Sequence, residues 1–441
     1  MKEHLSNALF GVLDYAAHPA AMLLAAPFLL RHLGIAQYGV WVVSMAAVSI
    51  GGILASGFGD ANIQNVASMR ALGQNDSLLR TVRSILAINI VLGGALMAFF
   101  WILVPWIARH VVPSGTPLAF ACTWSLRIAA LLMLVRAVES VCISTQRAFE
   151  RYGAAVRISI LVRLLTVATA VALALCGFGV ISIMAGTALL MLLGTFVQLV
   201  ELKRHLKTNS LRPSFDRQAT KTLFEFGVFS WIQALSSVLF AQADRLILGI
   251  SLGATAVTAY ALASQIAQPI YGIAAAGLHF LFPYLTRRRA STEISSLRRT
   301  IFIALGMNVA LVLAETAAAF LFGRFFLKAW VGAEIATNIA DVFAPIVWSF
   351  ALLGLSVTAY YALLALGHFR TVTWLNLAGG AAMLLFMFWL IPAMGVRGAA
   401  TSRLCFGVVS LGMYLPLLRL LRRAPQNAAL VPGAYPVCEE A

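Results

Sequence analysis

Charged side chains recur in this chain where the surrounding sequence is apolar. Asp244 and Arg245 are adjacent in the run LFAQADRLILGI, and Arg136 and Glu139 lie three residues apart in LLMLVRAVES. Arg127, Arg157, Arg163 and Arg403 stand in similar surroundings. A guanidinium group offers phosphate oxygens a planar fork of donors and stays charged at any working pH. Arginines gathered in an enclosed wet space would therefore suit a diphosphate. Arg127, Arg136, Arg163 and Arg245, with Asp244 beside the last, are the candidates for such a site. Each also has a structural reading. Residues three apart share a helix face, so Arg136 and Glu139 can neutralise one another. Arg157 is near enough to one end of its apolar run to snorkel out, and Arg403 to the other.

A second constellation lies near the start. Asp14 and His18 are four residues apart and share a helix face, followed by Pro19 and Pro27, which would kink or break a helix and free backbone groups. A carboxylate and an imidazole in apolar surroundings can carry protons. Asp14, His18 and Glu139 are the candidate ion-coupling groups, with Glu315 a weaker one. The alternative for Asp14 is a capping or pairing role near one interface. No nucleophile–base pair, nucleotide motif or metal-ligand spacing is present. Cys122, Cys142, Cys176, Cys405 and Cys438 are scattered, so catalytic residues, a metal site and a resident cofactor are not expected.

What must position these groups follows from composition. Of 441 residues, 61% are hydrophobic and 11% charged, with mean hydropathy +0.90. Soluble domains carry about 25% charged residues, so this chain belongs in a bilayer. Twelve apolar runs of spanning length are read at 8–30, 38–59, 84–108, 119–146, 154–176, 178–200, 223–250, 255–283, 300–322, 339–366, 371–391 and 398–421. The expected class is an all-α polytopic membrane protein. Eleven spans is the runner-up count. The net charge of +16 is unevenly spread: 21 of the 32 Lys and Arg fall in loops on one side, 5 on the other and 6 within spans. Basic loops mark the cytoplasmic side, which places both termini there and assigns the charge to topology and anionic lipids rather than nucleic acid. Asp14 and His18 interrupt what would be the apolar core of a signal peptide, so the first helix is expected to be retained.

The sequence also repeats faintly. FGV at Phe10–Val12 returns at Phe226–Val228, and GV at Gly179–Val180 returns at Gly395–Val396, both 216 residues on. Two parallel six-helix repeats, related by a pseudo-two-fold axis along the membrane normal, would follow. The lobes are read as 1–200 and 223–421, with 201–222 a cytoplasmic linker and 422–441 a Pro-rich mobile tail.

Three stretches resemble the O-antigen type of polysaccharide flippase, within the superfamily of multidrug, oligosaccharidyl-lipid and polysaccharide exporters. They are GFGDANIQNVASMRALGQND, read as the loop after the second span, the segment Phe215–Ile266, and LIPAMGVRGAA at Leu390–Ala400. The resemblance covers nearly the whole chain. It implies two six-helix lobes and movement of an undecaprenyl-diphosphate-linked glycan across the bacterial inner membrane; with the arginines and the Asp14–His18 pair, the expected mechanism is alternating access through a cationic central cavity, driven by a proton or sodium gradient. Gln233 and Gln265, with Trp231, Gln242 and Tyr271, would then contact the glycan, or else only pack between helices. Membrane lipids and other glycan-assembly proteins are the further partners expected, with the chain a monomer. The competing readings are a cation-coupled multidrug exporter and a membrane glycan polymerase or ligase. The first predicts an acid-dominated cleft, yet here bases outnumber acids within spans. The second needs a large outer loop, and none is read.

Overall fold

The structure is a computed structural model. It describes residues 2–56, 58–149, 152–208, 210–217, 220–221, 242–279, 281–282, 284–285 and 294–423, with backbone alone for 2–18, 53–56, 60, 152–156, 294–296, 338 and 423. Its regular elements are all helical: α1 (Lys2–Ser56), α2 (Gly59–Ala71), α3 (Asn75–Val111), α4 (Pro117–Ala148), α5 (Tyr152–Leu175), α6 (Val180–His205), α7 (242–252), α8 (Ala254–Leu278), α9 (Ile294–Val331), α10 (Ala333–Ala365), α11 (Phe369–Met394), α12 (Val396–Leu411) and α13 (Tyr414–Arg423). Nine helical stretches among the described residues are long and apolar enough to cross a membrane. Many large apolar side chains point outward, Phe388 and Trp389 at 78% and 77% exposure among them. Such a surface is stable against acyl chains and not against water. The chain is thus an all-α polytopic membrane protein, as expected.

Two breaks bear on the expected spans. Helical backbone runs through both Pro19 and Pro27, and the one non-helical position inside α1 is Gly34, at φ 76° and ψ 167°. That region of conformational space is open essentially to glycine alone, and Gly34 falls in the gap, 31–37, left between the first two expected spans. The single span expected over 398–421 is two helices, with a turn at Gly412–Met413. The span expected at 223–250 lies outside the described residues apart from α7.

The chain forms two compact units, Met1–Leu262 and Ala263–Ala441. In the first, α4 is the hub and packs against α1, α2, α3 and α6. Lipid provides little hydrophobic drive between helices, so close approach through small residues does the work. A Cβ added at Gly52 of α1 would come within 3.1 Å of Arg136 on α4, and one at Gly93 of α3 within 2.6 Å of Ala137. The described part of the 201–222 segment is tied to the first turns of α3. Arg83 donates to the Ser210 carbonyl at 2.9 Å, and Ser84 accepts from the Asp216 amide at 3.0 Å. Leu211 is buried among Val66, Leu78, Val82, Cys142 and Leu202.

In the second unit, α10 packs on α9 and α12, and α11 on α12. Asn308 of α9 donates to the Gly354 carbonyl of α10 at 2.9 Å, and the Tyr414 hydroxyl to the Leu355 carbonyl at 2.6 Å.

Candidate functional site

The first unit holds most of the charges of interest, and they divide into separate arrangements. Nearest the middle of α4, Arg136 and Glu139 form an ion pair of 2.7 Å, with side chains 27% and 8% exposed. Helix periodicity places them one above the other, and the glycine at position 52 leaves room for the arginine stem against α1.

Nine residues earlier on α4, Arg127 points the other way. Nine residues is an angular offset of about 180° and a rise of about 14 Å. Arg127 and Arg136 therefore do not form one clamp. The Arg127 guanidinium lies between two indoles, 5.3 Å from the Trp101 ring of α3 and 5.0 Å from the Trp124 ring of α4. Trp124 is one helical turn from Arg127, so this neighbour was legible in the spacing; Trp101 comes from another helix and was not.

The third arrangement explains how an acid sits in LFAQADRLILGI. Asp244 of α7 is 1% exposed. Its Oδ2 accepts a 2.6 Å hydrogen bond from the Tyr260 hydroxyl, and its Oδ1 a 2.8 Å bond from the Arg245 backbone N–H. Tyr260 stands on α8, turned back against α7 by Gly253 at φ 83°. The Asp244 carboxylate is thus buried and held by protein groups of α7 and α8. Arg245 is half-buried, and among the described residues its guanidinium has no ionic partner.

The remaining candidates are more dispersed. Arg163 of α5 and Gln265 of α8 are half-buried and engaged in contacts, and Arg157 is exposed. Gln233 and Trp231 lie outside the described residues. Asp14 and His18 are on the α1 backbone, with their side chains outside the described set. Glu315 is half-buried on α9 with Oε2 enclosed and unpartnered. Arg403 departs from the expectation: instead of snorkelling outward it is 8% exposed, with its guanidinium 4.5 Å from the Phe350 ring centre. An aromatic face on α10 offers it the stabilisation that an interface would have supplied.

A polar seam unforeseen in the sequence runs through the basic end of this unit. Asn62 of α2, fully buried, donates through Nδ2 to Ser144 Oγ at 2.8 Å and Thr145 Oγ1 at 2.9 Å on α4. It belongs to the stretch read as a loop, which is instead the helix α2. Asn89 of α3 donates to the Ala137 carbonyl and Ser140 Oγ. Asn62→Ala removes both interhelical bonds at once. At about 1 kcal/mol net per bond, plus the cavity left behind, it should cost about 2–3 kcal/mol, read as a fall in the thermal unfolding midpoint of the detergent-solubilised chain.

A cavity of about 660 Å³ opens where α1 breaks, lined by Leu33–Gln37, the start of α4 and the start of α6. None of the predicted site residues lines it. Gln37 there accepts from the Val180 amide at 3.1 Å and so caps α6.

Comparison with known proteins follows the same lines. A family described as "Polysaccharide biosynthesis protein" matches residues 28–334. A candidate O-antigen transporter of Shigella flexneri is 22% identical over 405 residues, covering 90% of this chain and 93% of its own. Among solved structures, the lipid II flippase MurJ in an inward closed conformation superimposes with a TM-score of 0.73 at 11% identity, covering 93% of this chain and 87% of its own. An inward-facing multidrug resistance MATE family transporter gives 0.69 at 14%, covering 94% and 96%. At these identities the two structures speak for the fold alone.

Proposed function

This chain belongs to the polysaccharide biosynthesis protein family, and on that footing we propose that it is a flippase for lipid-linked oligosaccharides, acting by alternating access. The observation that carries the reading is the family match over residues 28–334, joined to a relative of nearly equal length named for O-antigen transport. Physical chemistry fits it. A polyprenyl tail is costly to remove from lipid, at about 0.8 kcal/mol per CH₂, while a sugar diphosphate cannot enter lipid. A cleft open at its side lets the head cross a polar interior with the tail left outside.

In this reading Arg245 and Arg163 bind the diphosphate, with Gln265 and Gln233 toward the glycan. Asp244 holds the α7 end in place through Tyr260, and Arg136 is committed to Glu139. Asp14 and His18, with Glu315, are the groups for a proton or sodium gradient. In this reading the protein lies in the inner membrane, and the distribution of basic loops supports an orientation with both termini in the cytoplasm. The protein performs no covalent chemistry. A multidrug exporter of the same fold would favour cationic substrates, which the surplus of arginine over carboxylate within the spans repels.

The test is complementation. A deletion strain should lose its surface glycan and accumulate the lipid-linked precursor. Wild-type chain should restore assembly, and Arg245→Ala, present in the membrane at equal level, should restore less than about a tenth, since loss of a charged hydrogen-bonding contact is worth about 1.5–3 kcal/mol. Single glycan units still reaching the surface in the deletion strain would indicate a polymerase. Intact glycans with altered drug susceptibility would indicate the exporter.

A further inference from the structure

The Trp101–Arg127–Trp124 cluster stands apart from the groups assigned to substrate. Among the described residues no carboxylate pairs with Arg127, and its Nε is enclosed without a hydrogen-bond partner. Both indoles are partly open, Trp101 at 38% and Trp124 at 39%. Phe99, Ile102 and Phe120 around them are 63%, 76% and 64% exposed. An uncompensated cation thus sits on a surface that is otherwise apolar. The two rings lie 5.0 Å and 5.3 Å from the guanidinium carbon, and of the guanidinium nitrogens only Nε is enclosed, which leaves the terminal N–H groups to meet a ligand.

Depth narrows what meets that edge. Arg127 follows the start of α4 at Pro117 by ten residues, a rise of about 15 Å. Helical side chains lean toward the N-terminus, and the contact with Trp124 one turn earlier shows that this one does. The guanidinium therefore lies about 10 Å below the start of α4, on the side away from the basic loops. A lipid phosphate drawn slightly inward reaches this level, and the exposed Phe99 and Ile102 lie where its acyl chains would run.

We propose that Trp101, Arg127 and Trp124 form a binding site for the phosphate of an anionic phospholipid of the outer leaflet, on the α3–α4 flank of the first unit. The chemistry is that of a guanidinium held beside two indole rings, which binds a phosphodiester through its terminal N–H groups. The site rests on geometry within α3 and α4 and does not depend on the flippase reading.

Native mass spectrometry of the full chain in detergent, titrated with phosphatidylglycerol or phosphatidylcholine, tests it. Wild type should hold one phosphatidylglycerol at least about tenfold more tightly than phosphatidylcholine. Arg127→Gln should lose that preference, while Arg127→Lys, which keeps the charge, should retain part of it. Phosphatidylglycerol brominated on its acyl chains should quench part of the tryptophan emission of wild type, and less in the double variant Trp101→Phe/Trp124→Phe. The quenching arm needs no change at Arg127, so a poorly folding Arg127→Gln does not leave the question open. Equal lipid binding by wild type and Arg127→Gln, or quenching unchanged in the double variant, overturns the proposal. So does displacement of phosphatidylglycerol by undecaprenyl phosphate at a tenfold lower concentration, which would give the site to the substrate.

Discussion

Glu139→Ala should destabilise the first unit by about 3 kcal/mol or more, the largest loss expected from a single change in this chain. Breaking a buried ion pair from one side costs about 3–5 kcal/mol because the charge left behind is uncompensated. The lower end applies, since the Arg136 side chain keeps 27% of its surface open against 8% for Glu139. Replacing both partners should behave differently. Arg136→Met/Glu139→Leu removes the charges together, and apolar side chains of similar volume in place of a buried pair are often neutral or stabilising. Thermal unfolding of the two variants in detergent gives the comparison: a deep fall for the single change, recovery in the double. The double variant also settles the role of Glu139. If it is folded and still supports full glycan assembly, Glu139 is a packing device and ion coupling resides elsewhere.

The second large effect belongs to Asp244. Its carboxylate is 1% exposed, and it accepts hydrogen bonds from the Tyr260 hydroxyl at 2.6 Å and the Arg245 amide at 2.8 Å. Asp244→Ala deprives a fully buried tyrosine hydroxyl of this acceptor and leaves Arg245 next to no carboxylate. The expected cost is about 2–4 kcal/mol. Tyr260→Phe removes one hydrogen bond to a charged acceptor and should cost about 1.5–3 kcal/mol. The double variant should cost less than the sum, with a coupling energy of at least about 1 kcal/mol. Strict additivity would mean that the two side chains do not act on each other. Asp244→Asn keeps an oxygen facing Tyr260, so it should retain the fold. Loss of glycan assembly in that variant would then report on the charge that steadies Arg245.

Much of this architecture was readable from the chain, for a plain reason. A bilayer leaves every spanning backbone group to be satisfied within its own helix, so apolar runs of the right length announce helices whatever their neighbours are. The runs beginning near residues 84, 119, 154, 178, 300, 339 and 371 each fall within or closely over an observed helix. Where the reading erred, local chemistry was weighed without its surroundings. Pro19 and Pro27 were expected to kink or break α1, yet helical backbone runs through both, since neighbouring groups can carry a missing helical hydrogen bond; the division lies at Gly34, in a conformation that no L side chain easily takes. The stretch around Asn62 read as a loop because small and amide residues give little apolar periodicity. Its helicity rests on Phe58, Ala61 and Val66 packing against α3 and α4.

The candidate site was less legible. Spacing alone paired Arg136 with Glu139, since three residues on a helix is a contact. It could not find Tyr260 for Asp244, because that contact spans the turn at Gly253 and depends on how α8 is rotated against α7. Nor could it find Trp101 for Arg127, which depends on α3 lying beside α4 with Gly93 allowing the approach.

The amino-acid sequence by itself determined the solvent, the helical class, the family and which charges lie along the spans, because these follow from composition, run length and motif. Tertiary structure alone decided which charge meets which partner. Each helix can turn about its own axis without changing its hydrophobicity, and only the packing of small residues against neighbouring helices sets that rotation. That is why Arg127 and Arg136, on one helix, end in unlike surroundings: one between two indoles, the other paired with Glu139.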